Sequence, residues 1–272
     1  MLDCGMADVF FAGPPLAATG LLLAASPFIG SFLATATHRL PLGRSALRGR
    51  SSCPACGQNL GPLDLVPVLG FVFRRGRCAY CRAPVARVYP LVELLALAAA
   101  LWAVAVVPGW AAWAVAVLGW LLLTLAVIDA QHFLLPDVLT LPLAALGLAV
   151  AALGATAPGF VWATNPLDAV IGAAAGFASL ALIAWAYRAL RGRVGLGLGD
   201  AKLLAAAGAW AGWQGLASVV LIAALAALGG SLAVAAIKGR RPGLADRLPF
   251  GPYLALGTWL VVLYGPLSFR LP

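Results

Sequence analysis

The stretch WAAWAVAVLGWLLLTLAVID, Trp110–Asp129, decides the fold class. Nineteen residues pass without a charge before Asp129. A helix of that length crosses about 30 Å of hydrocarbon. A helix satisfies its own backbone hydrogen bonds, which lipid cannot do. The next residues, AQHFLLPDVLTLPL, turn and start another apolar run. Asp129 therefore stands at the edge of a membrane span, where a carboxylate is costly to keep and marks a functional site by default.

The rest of the chain agrees with this reading. Of its 272 residues 63% are hydrophobic and only 10% are charged, with mean hydropathy +0.98. We expect an all-α polytopic membrane protein of about eight transmembrane helices. The spans read Leu16–Thr37, Tyr89–Val107, Trp110–Ile128, Pro136–Leu153, Leu167–Tyr187, Ala201 to a turn near Gly212–Gly215, that turn to Ile237, and Tyr253–Tyr264. Asp3 and Asp8 precede the first span. They do not resemble the positive n-region of a signal peptide, so that span is read as a true helix. Three segments result: a first helix over 1–37, a polar insert over 38–90 and a membrane core over 91–272.

The net charge of +9 reads as topology. Nine of the eighteen basic residues lie between Arg39 and Arg87, four between Arg188 and Lys202, and four between Lys238 and Arg247. Apolar spans separate the clusters, so the positive-inside rule puts all three on the cytoplasmic side. Anionic lipid headgroups favour the same arrangement. The basic segments lack interleaved aromatic residues, which argues against nucleic-acid binding. This topology brings Asp129 to the same membrane face as Asp200, the last residue of GLGLGD.

The insert carries CPAC, with Cys53 and Cys56, and CAYC, with Cys78 and Cys81, separated by 21 residues. Two such pairs predict a zinc-ribbon-like site with four thiolate ligands and no open position, hence a structural metal. A segment this small and polar needs a staple to fold. A disulfide framework fits a reducing compartment poorly. Cys4 is left over and reads as an inert terminal thiol.

In GLGLGD, the glycines at 195, 197 and 199 leave room for a substrate backbone beside Asp200. The spacing is not a dinucleotide fingerprint. A glycine loop capped by Asp200 is the plain structural alternative. Of the two acids in IDAQHFLLPD, Asp137 follows Pro136 at a helix start and reads as structural or supporting. Asp129 has no such explanation and reads as the reactive group. Lys202 is near enough in sequence to tune a carboxylate. Glu93 is explained by a helix N-terminus, and His132 by an interfacial anchor. Two carboxylates that meet form an acid/base pair able to activate water.

An ordered set of segments resembles the type IV prepilin peptidase family, the bacterial branch of the GxGD aspartyl proteases. The set is HRLP (38–41), CPAC, RGRC (75–78), CAYC, YPLVE (89–93), IDAQHFLLPDVLTLP (128–142), GLGLGDAKLLAAAGAW (195–210) and PFGPYLALG (249–257). The resemblance implies cleavage of leaders from type IV prepilins or pseudopilins at the cytoplasmic face of the bacterial inner membrane. It also implies methylation of the new N-terminus from S-adenosylmethionine. It places the catalytic aspartates at Asp129 and Asp200. The chain departs from the family's early Asn and DNIP, reading SFLATATHRLP and LDLVP instead. Two rivals use the same features differently. One is an ion-coupled transporter with intramembrane aspartates. The other is an assembly scaffold that docks partners through its insert.

Overall fold

A computed structural model describes residues 16–107, 109–155, 164–192, 197–239 and 248–267. Cys4, Pro108, Gly195, Arg270, the outside loop at 156–163 and the basic loop at 240–247 lie outside them. The described residues are helical, with two isolated β-bridges in the insert and no strand. Six stretches are long and apolar enough to cross a membrane: Leu16–Leu42, Val88–Val106, Ala111–His132, Asp137–Gly154, Pro166–Arg191 and Leu198–Ile237. A shorter apolar helix follows at Gly251–Tyr264. The chain is a multi-pass membrane protein.

The chain divides into two compact units, 1–124 and 125–272. In the first, α1 (Leu16–Arg39) packs on α3 (Val88–Val106). Gly30 permits their close approach: a Cβ there would stand 2.7 Å from the Cα of Glu93. Between them run short 3-10 turns and the single-turn helix α2 (Leu69–Phe73). The first residues of α4 (Ala111–His132) complete this unit, and the Trp120 indole donates to the Ala96 carbonyl at 2.9 Å.

The second unit holds the end of α4, then α5 (Asp137–Gly154), α6 (Pro166–Arg191), α7 (Leu198–Lys238) and α8 (Gly251–Tyr264). Local sequence sets the ends of α6. The Asn165 side chain accepts the Leu167 N–H, Pro166 takes the first position, and Gly192 closes the helix in the left-handed region. α7 is two helices joined at Gly212, whose φ of 70° and ψ of 174° are open essentially to glycine alone. The expected turn between the sixth and seventh spans is this break. With α7 counted as two, the six stretches and α8 give eight apolar helical segments among the described residues, the number expected.

Lipid offers no hydrophobic reward for helix association, so close backbone contact has to supply it. The GAAAG of Gly172–Gly176 presses on the first half of α7. A Cβ at Gly172 would run into the Gly208 carbonyl, and one at Gly176 would come within 2.5 Å of the Leu204 carbonyl. Gly208→Val should therefore separate α6 from α7. Overpacking of this kind costs about 1–3 kcal/mol. The check is a lower thermal midpoint in detergent than the parent protein.

Candidate functional site

Asp129 lies in the last turn of α4. Phe133, at φ 53°, ends that helix, and its N–H bonds the Asp129 carbonyl at 2.9 Å. The left-handed residue turns the chain back, so that 133–137 fold over the helix end. Asp200 lies in the first turn of α7, after Gly197 as the N-cap. Its carboxylate accepts the backbone N–H of Gly197, so a capping contribution at the start of α7 accompanies its place in the cavity. Both aspartates line one cavity of about 420 Å³, together with Phe133, Leu135, Gly197 and Lys202. The two acids, expected at one membrane face, share this cavity.

Asp129 is 6% exposed. Its Oδ2 accepts the backbone N–H of Gly251 at 2.9 Å. That N–H belongs to the first residue of α8, so the carboxylate sits against the positive end of a helix. Position 251 must be glycine for this contact, because a Cβ would stand 2.7 Å from Oδ2. PFGPY entered the sequence reading only as part of a resemblance, and its part in holding Asp129 was missed. Gly251→Ala should push the carboxylate aside. Misplacement by about 1 Å can cost about 10²-fold. We expect a loss of that order in kcat for leader cleavage with little change in KM, measured on a synthetic substrate.

The glycines of GLGLGD have separate roles where they are described. A Cβ at Gly199 would meet that of Leu135 at 3.0 Å, so Gly199 lets the α7 start close on the 133–136 turn. A Cβ at Gly197 would lie in ordinary contact with Asp200, 3.7 Å from its Oδ2. Asp137 is held in an ion pair: Lys202 Nζ donates to both its oxygens, at 2.6 and 2.8 Å. This ion pair joins the starts of α5 and α7 at the cavity wall. His132 ends α4 and is exposed.

The four insert cysteines meet. The Sγ atoms of Cys53, Cys56, Cys78 and Cys81 lie within 4.8 Å of one another and form no disulfide. Each CxxC sits in the same turn. The residue after each second cysteine is left-handed, Gly57 at φ 73° and Arg82 at φ 58°. The bridges Ser52–Asn59 and Arg77–Pro84 close the two loops. Cys53 and Cys81 sulfurs are 3.8 Å apart. Tetrahedral zinc with bonds of about 2.3 Å requires sulfurs about 3.8 Å apart. The backbone N–H groups of Cys81 and Tyr80 lower the Cys78 thiol to about 7, whereas Cys81, despite the Ala83 backbone N–H, is raised to about 11 by burial and the neighbouring sulfurs, so Cys78 is the thiol of the two that favours a thiolate. The donor set fits a thiophilic dication closed on all sides.

Glu93 has a use that the helix-dipole explanation does not describe. It is buried, and its Oε2 accepts the Val68 N–H of the insert at 2.7 Å. Sequence spacing carries no signal for a contact across 25 residues.

The bacterial peptidase A24 N-terminal domain matches residues 25–107, and the type IV leader peptidase family matches residues 116–232. The prepilin leader peptidase/N-methyltransferase of Aeromonas hydrophila is 39% identical, with 93% of each chain covered. That of Pseudomonas aeruginosa is 35% identical over 94% of this chain and 93% of its own. That of Dickeya chrysanthemi is 42% identical over 90% and 93%. No solved structure matches the chain. Two matched domains in order, and relatives alike from end to end, make this chain a member of the type IV leader peptidase family.

Proposed function

We propose that the protein is a membrane aspartyl endopeptidase that removes leader peptides from type IV prepilins or pseudopilins and then methylates the new N-terminus. The observation that carries the peptidase half is the pairing of Asp129 and Asp200 on one cavity at the ends of two membrane helices. Carboxylates sharing a site share a proton. The ionised member takes a proton from water, which attacks the scissile carbonyl. The protonated member donates to the carbonyl oxygen, and a proton then passes to the departing amine. Gly197 keeps the approach to Asp200 open for an extended peptide. The Gly251 N–H orients Asp129 throughout.

In the second reaction S-adenosylmethionine would supply the methyl group to the freed amine, which would lose a proton as the thioether departs. The relatives carry both activities in their name. The four-cysteine cluster holds zinc as a structural ion. Three basic clusters support a cytoplasmic position for the insert and both aspartates at the bacterial inner membrane. The comparisons give the transporter alternative no support.

The test is to incubate the purified protein with a prepilin peptide and labelled S-adenosylmethionine, then measure product masses. Loss of the leader and gain of one methyl group are scored separately. An intact peptide would reject the peptidase reading. A cleaved but unmethylated product would reject only the methyltransferase half.

A further inference from the structure

The insert presents a surface whose chemistry the peptidase reaction does not use. α2 exposes Leu69, Val72 and Phe73, the last at 79%. Arg74, Arg75 and Arg77 follow directly and are exposed. Arg74 is paired with Asp64 at 2.7 Å. Among the described residues no carboxylate pairs with Arg75, Arg77, Arg82 or Arg87. Asp64 is the only acid in the segment 38–90, against nine arginines. A five-residue helix with an apolar face and a cationic edge has no reason to remain so in open water.

Its depth is fixed by the fold. The residue before α2 is Val68, at φ 59°, an uncommon conformation for a β-branched side chain. The buried Glu93 carboxylate holds it there by accepting its N–H at 2.7 Å. Glu93 stands in the second turn of α3, a membrane span. Gly70 is equally confined, since a Cβ there would come within 2.7 Å of the Asp64 carbonyl. α2 is therefore tethered at the level where α3 enters the bilayer. At that level an exposed Leu, Val and Phe meet acyl chains, and arginines meet phosphate.

We infer that Leu69–Arg77 is an interfacial docking element that seats the insert on the membrane through anionic phospholipid headgroups. The exposed apolar side chains enter the headgroup–acyl boundary. Arg75 and Arg77 take lipid phosphates, which attract juxtamembrane basic residues at this distance. The Val68–Glu93 contact sets the depth at which both operate. The same contacts give the cationic insert a counter-charge in the plane of the membrane.

The experiment uses the full chain in nanodiscs of neutral phosphatidylcholine, or with about 30% phosphatidylglycerol, the anionic leaflet. Hydrogen exchange is followed at the amides of 69–77. Protection should rise about tenfold in the anionic discs. It should fall to the neutral-disc value in Arg75→Gln/Arg77→Gln, and stay high in Arg75→Lys/Arg77→Lys. Val72→Ser/Phe73→Ser should lose protection in both lipids, with exchange across α3 unchanged as the control for folding. Equal exchange in both lipids for the parent protein would overturn the inference. So would full protection retained by the serine variant. Neither readout depends on leader cleavage, so the peptidase reading stands or falls separately.

Discussion

Asp129→Asn and Asp200→Asn should each leave a prepilin peptide uncut, while the protein remains inserted and folded. Asparagine keeps the shape and one acceptor oxygen, so Gly251 can still donate at position 129. What is lost is the proton chemistry. An amide cannot take a proton from water, and a lone aspartate cannot serve as both base and acid. General acid–base contributions run to about 10²–10⁴-fold each, so cleavage should fall by at least that factor. The measurement is product mass after single-turnover incubation, with circular dichroism and detergent-extracted yield as the folding control. Full activity in either variant would remove that residue from catalysis. The parent protein should also show a bell-shaped rate against pH. With both carboxylates protonated no base remains, and with both ionised no acid remains.

Cys53→Ser/Cys78→Ser should remove zinc and collapse the insert. Structural zinc sites supply about 10–16 kcal/mol of apparent binding energy, which is folding energy for a domain this small. One ligand is lost from each CxxC turn, and a hydroxyl replaces a thiolate. The two loops are otherwise closed by one bridge each, Ser52–Asn59 and Arg77–Pro84. We expect metal per protein to fall from near one to near zero by elemental analysis. Proteolysis between Leu42 and Arg87 should become rapid. Unchanged metal content would sink the ribbon reading. A chelator acting on the parent protein should reproduce the proteolytic sensitivity.

The Asp137–Lys202 pair shows how far residue-by-residue reading reaches. Each residue alone has an ordinary explanation: a helix start for Asp137 and a positive-inside charge for Lys202. Their bidentate contact spans 65 residues of chain and exists only because α5 and α7 begin side by side. Asp129 was legible as a candidate because an acid after nineteen uncharged residues is expensive, whatever lies around it, whereas Asp200 was read from the glycines that precede it. The cysteines were legible because a metal requires a local bite, and CxxC supplies it within one turn.

Gly251 and Glu93 were illegible for the complementary reason. Gly251 acts through a backbone N–H, which every non-proline residue carries, and its missing Cβ matters only because Asp129 lies opposite. Glu93 acts on an amide 25 residues away. Composition and periodicity by themselves determined the helical membrane architecture and the thiol set, and singled out Asp129 as a candidate; Asp200 joined it through the glycine pattern and the family resemblance. Those features follow from transfer energies and local geometry, which are properties of short segments. Tertiary structure decided that the two aspartates line one cavity, what orients Asp129, which partner Lys202 takes and where the insert is tethered. These depend on distances between residues far apart in the chain, and packing alone sets such distances.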